Sequence, residues 1–92
     1  MKFVAYNEKT VGGSVGQGFH MTFQNGLTCS VAFGSANYCD LGKTTAEVWA
    51  WDGNGEPVDV PGFHSRDVVG HLSPDDVLFY LSVVASMVGD NV

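Results

Sequence analysis

The chain has 92 residues and a formal charge of −6; 45% of its residues are hydrophobic and only 15% are charged, against about 25% in an ordinary soluble domain. That length supports one core and one domain, residues 1–92, and four dispersed cations (Lys2, Lys9, Lys43 and Arg66) cannot form the basic stripe that nucleic-acid binding needs. The ten carboxylates are spread too thinly for a DNA mimic, no run reaches the ~20 apolar residues of a membrane span, and the start turns polar too early for a signal peptide.

A small chain with little charge to cover its surface gains by burying part of that surface against a copy of itself, which predicts a homo-oligomer. A reducing, cytoplasmic setting makes Cys29 and Cys39 free thiols, Cys29 as a small core residue in the apolar register of a strand.

In chain order, residues 3–6 (Phe-Val-Ala-Tyr) form a short first strand. Residues 12–18, with four glycines in seven, read as a mobile loop whose amides offer at most a weak anion nest. Residues 18–33 then give the clearest pattern in the chain. Phe19, Met21 and Phe23 alternate with His20, Thr22 and Gln24, and Leu27, Cys29, Val31 and Phe33 with Thr28, Ser30 and Ala32, with Asn25-Gly26 between the two runs. A two-residue turn would put the two apolar sets on opposite faces. A three-residue loop, residues 24–26, pairs Phe23 with Leu27, Met21 with Cys29 and Phe19 with Val31, all on one face, with Gly26 in the left-handed position. This face belongs to the core, under the C-terminal helix, so a binding site is to be sought on the opposite face, around His20, Thr22 and Ser30, or in the flanking loops.

Residues 34–42 are irregular. A strand follows over residues 46–51, with Ala46, Val48 and Ala50 on one side and Glu47, Trp49 and Trp51 on the other; the pattern leaves open which side is buried. Residues 52–55 are a turn, residues 56–60 return as an edge strand because Pro57 cannot donate to a ladder, and residues 61–67 form a loop with His64 and Arg66. The last element is a helix over about residues 74–88. Ser73 is its N-cap, Pro74 suits its first position, and Asp75 and Asp76 complement the helix dipole. Val77, Leu81, Val84 and Val88 make its apolar stripe, flanked by Leu78, Tyr80 and Met87, and Gly89 stops it. The fold class is therefore α+β: a small antiparallel sheet of about four to five strands, with the central hairpin 18–33, packed by one C-terminal helix.

No complete catalytic motif is present, and the chain reads as non-enzymatic. Residues 42–45 (Gly-Lys-Thr-Thr) mimic the end of a phosphate loop, but Asn37 stands where its first glycine belongs and a strand follows. Residues 52–56 open like a calcium loop, yet Pro57 and Phe63 occupy the sixth and twelfth positions. His20, His64, His71, Cys29 and Cys39 lack any zinc-ligand spacing, so no metal and no cofactor is expected. Trp49 and Trp51, on one side of one strand, are either core or a stacking platform and interface anchor. In the second case the ligand-binding set is Trp49, Trp51, Tyr38 and His20 with Lys43, His64 and Arg66, the loop cations meeting a phosphate while a base stacks on the rings.

Residues 18–31, continuing through Phe33-Gly34 and Asn37-Tyr38-Cys39, together with residues 46–52 and 72–77, resemble a group of small uncharacterised proteins encoded by bacteriophages. The similarity covers roughly residues 12–85, is one of overall pattern, and carries over no functional residue. It implies a host-cytoplasmic binding protein that counters bacterial defence, by sequestering a nucleotide immune signal at a subunit interface. The alternatives are a protein–protein inhibitor of a host defence enzyme and an accessory virion protein. The expected partners are a second copy and either a nucleotide-derived small molecule or a host defence protein, with no nucleic acid and no membrane.

Overall fold

Five strands run in chain order across one antiparallel sheet: β1 (Lys2–Lys9), β2 (Val15–Thr22), β3 (Thr28–Ala32), β4 (Ala46–Trp51) and β5 (Val69–Leu72), followed by helix α1 (Pro74–Ser86). The computed structural model describes residues 2–9, 12–63 and 66–88. The α+β class, the hairpin and the C-terminal helix are as the sequence patterns require. No helix among the described residues is long and apolar enough to cross a membrane.

The β2–β3 hairpin has the register that a shared apolar face demands, Phe19 opposite Val31 and Met21 opposite Cys29. Its loop is closed by Phe23 N–H to Leu27 O at 2.8 Å and Gly26 N–H to Phe23 O at 3.0 Å, with Gly26 at φ +88°. Asn25 at the loop tip does more than turn the chain. Its Nδ2 donates to the carbonyls of Val84 (2.8 Å) and Met87 (3.0 Å), and its Oδ1 accepts from Leu27 N–H at 3.0 Å. One side chain thus ties the hairpin to the end of α1, adding a second donor to the Val84 carbonyl, which also accepts from Met87 N–H at 3.2 Å, and supplying one to the Met87 carbonyl.

Helix α1 starts as its sequence dictates: Ser73 Oγ accepts from Asp76 N–H at 3.2 Å, and Pro74 occupies the first turn. It lies over β3, β4 and β5 and not over β1 and β2, so the Phe19, Met21 and Phe23 half of the hairpin face, expected under the helix, is only half-buried. The buried stripe is centred on Tyr80 and Val84, with Val77, Leu81, Val83 and Met87 packed beside it. This corrects the expected stripe: Val88 is beyond the helix and 77% exposed, while Tyr80 is at its centre. Tyr80 meets the ring of Phe63 edge-on at 4.9 Å, an aromatic contact that spacing along the helix cannot reveal. The expected stop at Gly89 lies outside the described residues. The core is completed by Leu27, Cys29, Val31, Val48, Ala50, Val60 and Leu72.

Three other expectations change. Part of the glycine-rich segment is strand rather than loop: residues 15–18 open β2 and pair with residues 6–9, so β1 is twice as long as the apolar run 3–6. The edge strand expected at residues 56–60 reduces to one bridge, Trp51 with Pro57, flanked by hydrogen bonds from Asp52 N–H to Glu56 O at 2.9 Å and from Val58 N–H to Ala50 O at 3.2 Å, and beyond it Val60 is fully buried. The fifth strand is instead Val69–Leu72, four residues with a glycine inside. It bulges between its pairings Ala46–Leu72 and Val48–Val69, with His71 at φ 56°.

Candidate functional site: the open aromatic face

The face of β4 left undecided by its alternation is settled by α1. Val48 and Ala50 are fully buried on the helix side, so Trp49 and Trp51 stand on the opposite, uncovered face. Register then builds three cross-strand rows there: Lys2–Thr22–Thr28–Trp51, Val4–His20–Ser30–Trp49, and Tyr6–Gly18–Ala32–Glu47.

Four rings from three strands form a continuous diagonal across these rows. Tyr6 lies 4.9 Å from His20, His20 lies 5.0 Å from Trp51 in an edge-on arrangement, and Trp51 lies 5.3 Å from Trp49. All four are half-buried. Gly18, directly opposite Tyr6, has no side chain, and the Tyr6 hydroxyl comes within 3.4 Å of the Ser30 hydroxyl. The Thr22 and Thr28 hydroxyls pair at 2.9 Å, and Trp49 Nε1 donates to the Arg66 carbonyl at 3.0 Å. Wet sheet faces ordinarily carry small polar residues. This one carries large rings held in fixed positions.

Burial lowers the His20 pKa, and the nearby Glu8 carboxylate pulls it only partly back. The neutral, flat polar form of the His20 ring is thereby favoured. The Ser30 hydroxyl opposite His20 instead faces the Tyr6 hydroxyl. Among the described residues no group of three His, Cys, Asp or Glu side chains could hold a metal. The two thiols are free. Burial pushes the Cys29 thiol up to about 12, which makes it inert, whereas Cys39 is half-exposed.

The structure brings together Trp49, Trp51 and His20 from the expected site set. Tyr38 stands at the border of this face: its N–H donates to Glu47 Oε2 at 2.9 Å, its carbonyl accepts from His71 N–H at 2.8 Å, and its ring is exposed. Arg66 reaches Trp49 through its backbone carbonyl rather than by its charge. Lys43 is elsewhere. It edges an apolar groove of about 460 Å³ between Phe33, Val31 and Ala46 of the sheet side and Val77, Leu78 and Leu81 of α1. His64 lies outside the described residues. Two participants escaped the sequence reading, Tyr6 and the flanking Glu8. Both share the parity of Val4 along β1, but only the β1–β2 register carries that parity onto the His20 side.

Asp40 organises the loop beside the groove. It accepts from Thr44 N–H (3.0 Å), Thr45 N–H (2.9 Å) and both threonine hydroxyls, and these hydrogen bonds, those of Thr44 foremost, hold its carboxyl well below the usual carboxylate range. Residues 40–45 are thus a side-chain-closed turn and not a phosphate cradle, as the missing glycine implies.

Comparison with family models, with curated proteins and with solved structures finds no match.

Proposed function

We propose that the chain is a non-enzymatic binding protein that works through its open aromatic face and takes basic side chains of a protein partner. The observation that carries this reading is the row Tyr6–His20–Trp51–Trp49 flanked by the carboxylates of Glu8 and Glu47. Guanidinium and ammonium groups gain from the negative faces of tryptophan and tyrosine rings, and more so where carboxylates border them. A formal charge of −6 draws such a partner by long-range attraction. The resemblance to small phage-encoded proteins supports a setting in which the partner is a bacterial defence protein and the outcome is inhibition.

A nucleotide-type ligand is the second reading. Its base would stack on the same rings, and Lys2, at the end of the Trp51 row, is the cation placed to meet a phosphate. Glu8 and Glu47 oppose it. Titrations with an arginine-rich peptide and with mono- and cyclic dinucleotides, followed by the indole N–H signals of Trp49 and Trp51, separate the readings. The first expects the peptide to shift both indoles and a Trp49→Ala/Trp51→Ala variant to lose the peptide. Shifts by nucleotides alone would replace it with the second, and indoles unmoved by every ligand would refute both.

A further inference from the structure

The two edges of the sheet differ. β5 is four residues long and carries the 37–38 segment beside it, with His71 N–H bonded to the Tyr38 carbonyl. β1 is eight residues long, pairs only with β2, and has alternate N–H and C=O groups pointing outward. Phe3 is 72% and Val4 45% exposed on it. No proline or bulge blunts this edge, and no charge lies between Phe3 and Asn7.

We propose that β1 pairs antiparallel with β1 of a second copy, about a two-fold axis at Ala5, to give a continuous ten-stranded sheet. In an antiparallel pair, opposite residues share a face, and along one strand only residues of equal parity do. Self-pairing must therefore centre on a residue, not on a peptide bond. Centring on Ala5 sets Lys2 against the partner's Glu8 and Val4 against the partner's Tyr6, each contact made twice, with the smallest side chain of the strand at the axis. Centring on Val4 leaves Glu8 without a counter-charge. Centring on Tyr6 puts Val4 against a carboxylate and Phe3 against an ammonium. Charge argues for the same edge. Lys2 and Lys9 are two of the four cations in the chain, so β1 has a formal charge of +1 in a chain of −6. Two acidic copies meeting there do not bring net negative charge together.

The two-fold axis stands perpendicular to the sheet. Both aromatic faces then fall on one side as a single surface, and both helices on the other. The pairing engages Lys2 and Glu8 at the border of the aromatic face and leaves His20, Trp49 and Trp51 on β2 and β4 outside the new contact.

The test is molecular mass by light scattering over a low-micromolar to millimolar series. The wild-type chain is expected to approach twice its 9.8 kDa mass. Lys2→Glu and Glu8→Lys, both at exposed positions, each oppose like charges at two symmetric sites and weaken association about tenfold or more. Mixed in equal amounts, the two variants restore opposite charges at both sites and regain dimerisation as a heterodimer. The proposal is overturned if the wild type keeps the mass of one chain throughout, if either variant alone dimerises as the wild type does, or if the mixture stays monomeric.

Discussion

Replacing Asn25 by alanine removes three good hydrogen bonds at once: the donations to Val84 O at 2.8 Å and Met87 O at 3.0 Å, and the acceptance from Leu27 N–H at 3.0 Å. Each is worth about 1 kcal/mol net; the Val84 carbonyl keeps the Met87 N–H and the other freed groups recover part of their loss from water, so the loss is about 2–3 kcal/mol. That is a large share of the 5–15 kcal/mol typical of a whole domain. In a domain of this size it lowers the melting temperature by about 10–20 °C. Thermal and urea unfolding followed by far-UV circular dichroism measure it, with Asn54→Ala in an exposed turn as the control, expected within about 0.5 kcal/mol of wild type. Asn25→Asp sharpens the case. Aspartate keeps the bond to Leu27 but sets a carboxylate against the negative end of α1. Its folded-state pKa is raised, so this variant should be at least as unstable as the alanine variant at pH 7 and regain stability as the pH falls. A change below about 0.5 kcal/mol in Asn25→Ala would refute the tie.

Gly18→Ala should abolish cooperative folding or strip β1 and β2 from the sheet, since a Cβ there would lie 2.1 Å from the Val31 carbonyl oxygen; an intact dispersed NMR spectrum for that variant would contradict the close approach. Native alkylation should modify Cys39 well before Cys29, whose labelling should follow global unfolding; equal rates would show that the Cys29 site is open. Acid should destabilise the chain in two steps of the same sign. Burial lowers the His20 pKa, so stability present above the unfolded value of about 6.5 declines as the pH falls through and below it. The depressed Asp40 carboxyl adds stability that is present above its unfolded value of about 4 and lost as the pH falls further. Asp40→Asn should flatten that second step in a pH series of urea midpoints, and an unchanged acid limb would count against the Asp40 turn.

The pattern of residues determines a good deal of this protein without help from the fold. The period-two alternation of residues 19–33, with one glycine able to take φ +88°, suffices for the loop length and register of the hairpin. Ser73, Pro74, Asp75 and Asp76 suffice for the start of α1. These are local rules: each links residues a few positions apart through turn geometry or a cap. The candidate site is not local. Trp49 and Trp51 were legible as an adjacent pair on one side of one strand, and His20 as a residue of the non-core face. That they touch depends on strand order and register, which bring β4 within ring distance of β2 and carry Tyr6 in from β1. The same holds for Asn25 and the last turn of α1, fifty-nine residues apart at Val84, and for Lys43, which shares a loop-rich sequence neighbourhood with Tyr38 but faces the helix groove. Which side of β4 is buried was decided by α1 together with Val58, Val60 and Phe63 of the segment before β5. The helix covers Val48 and Ala50, because small and branched side chains let it approach the sheet closely, and the two bulkiest rings of the strand are left on the open side.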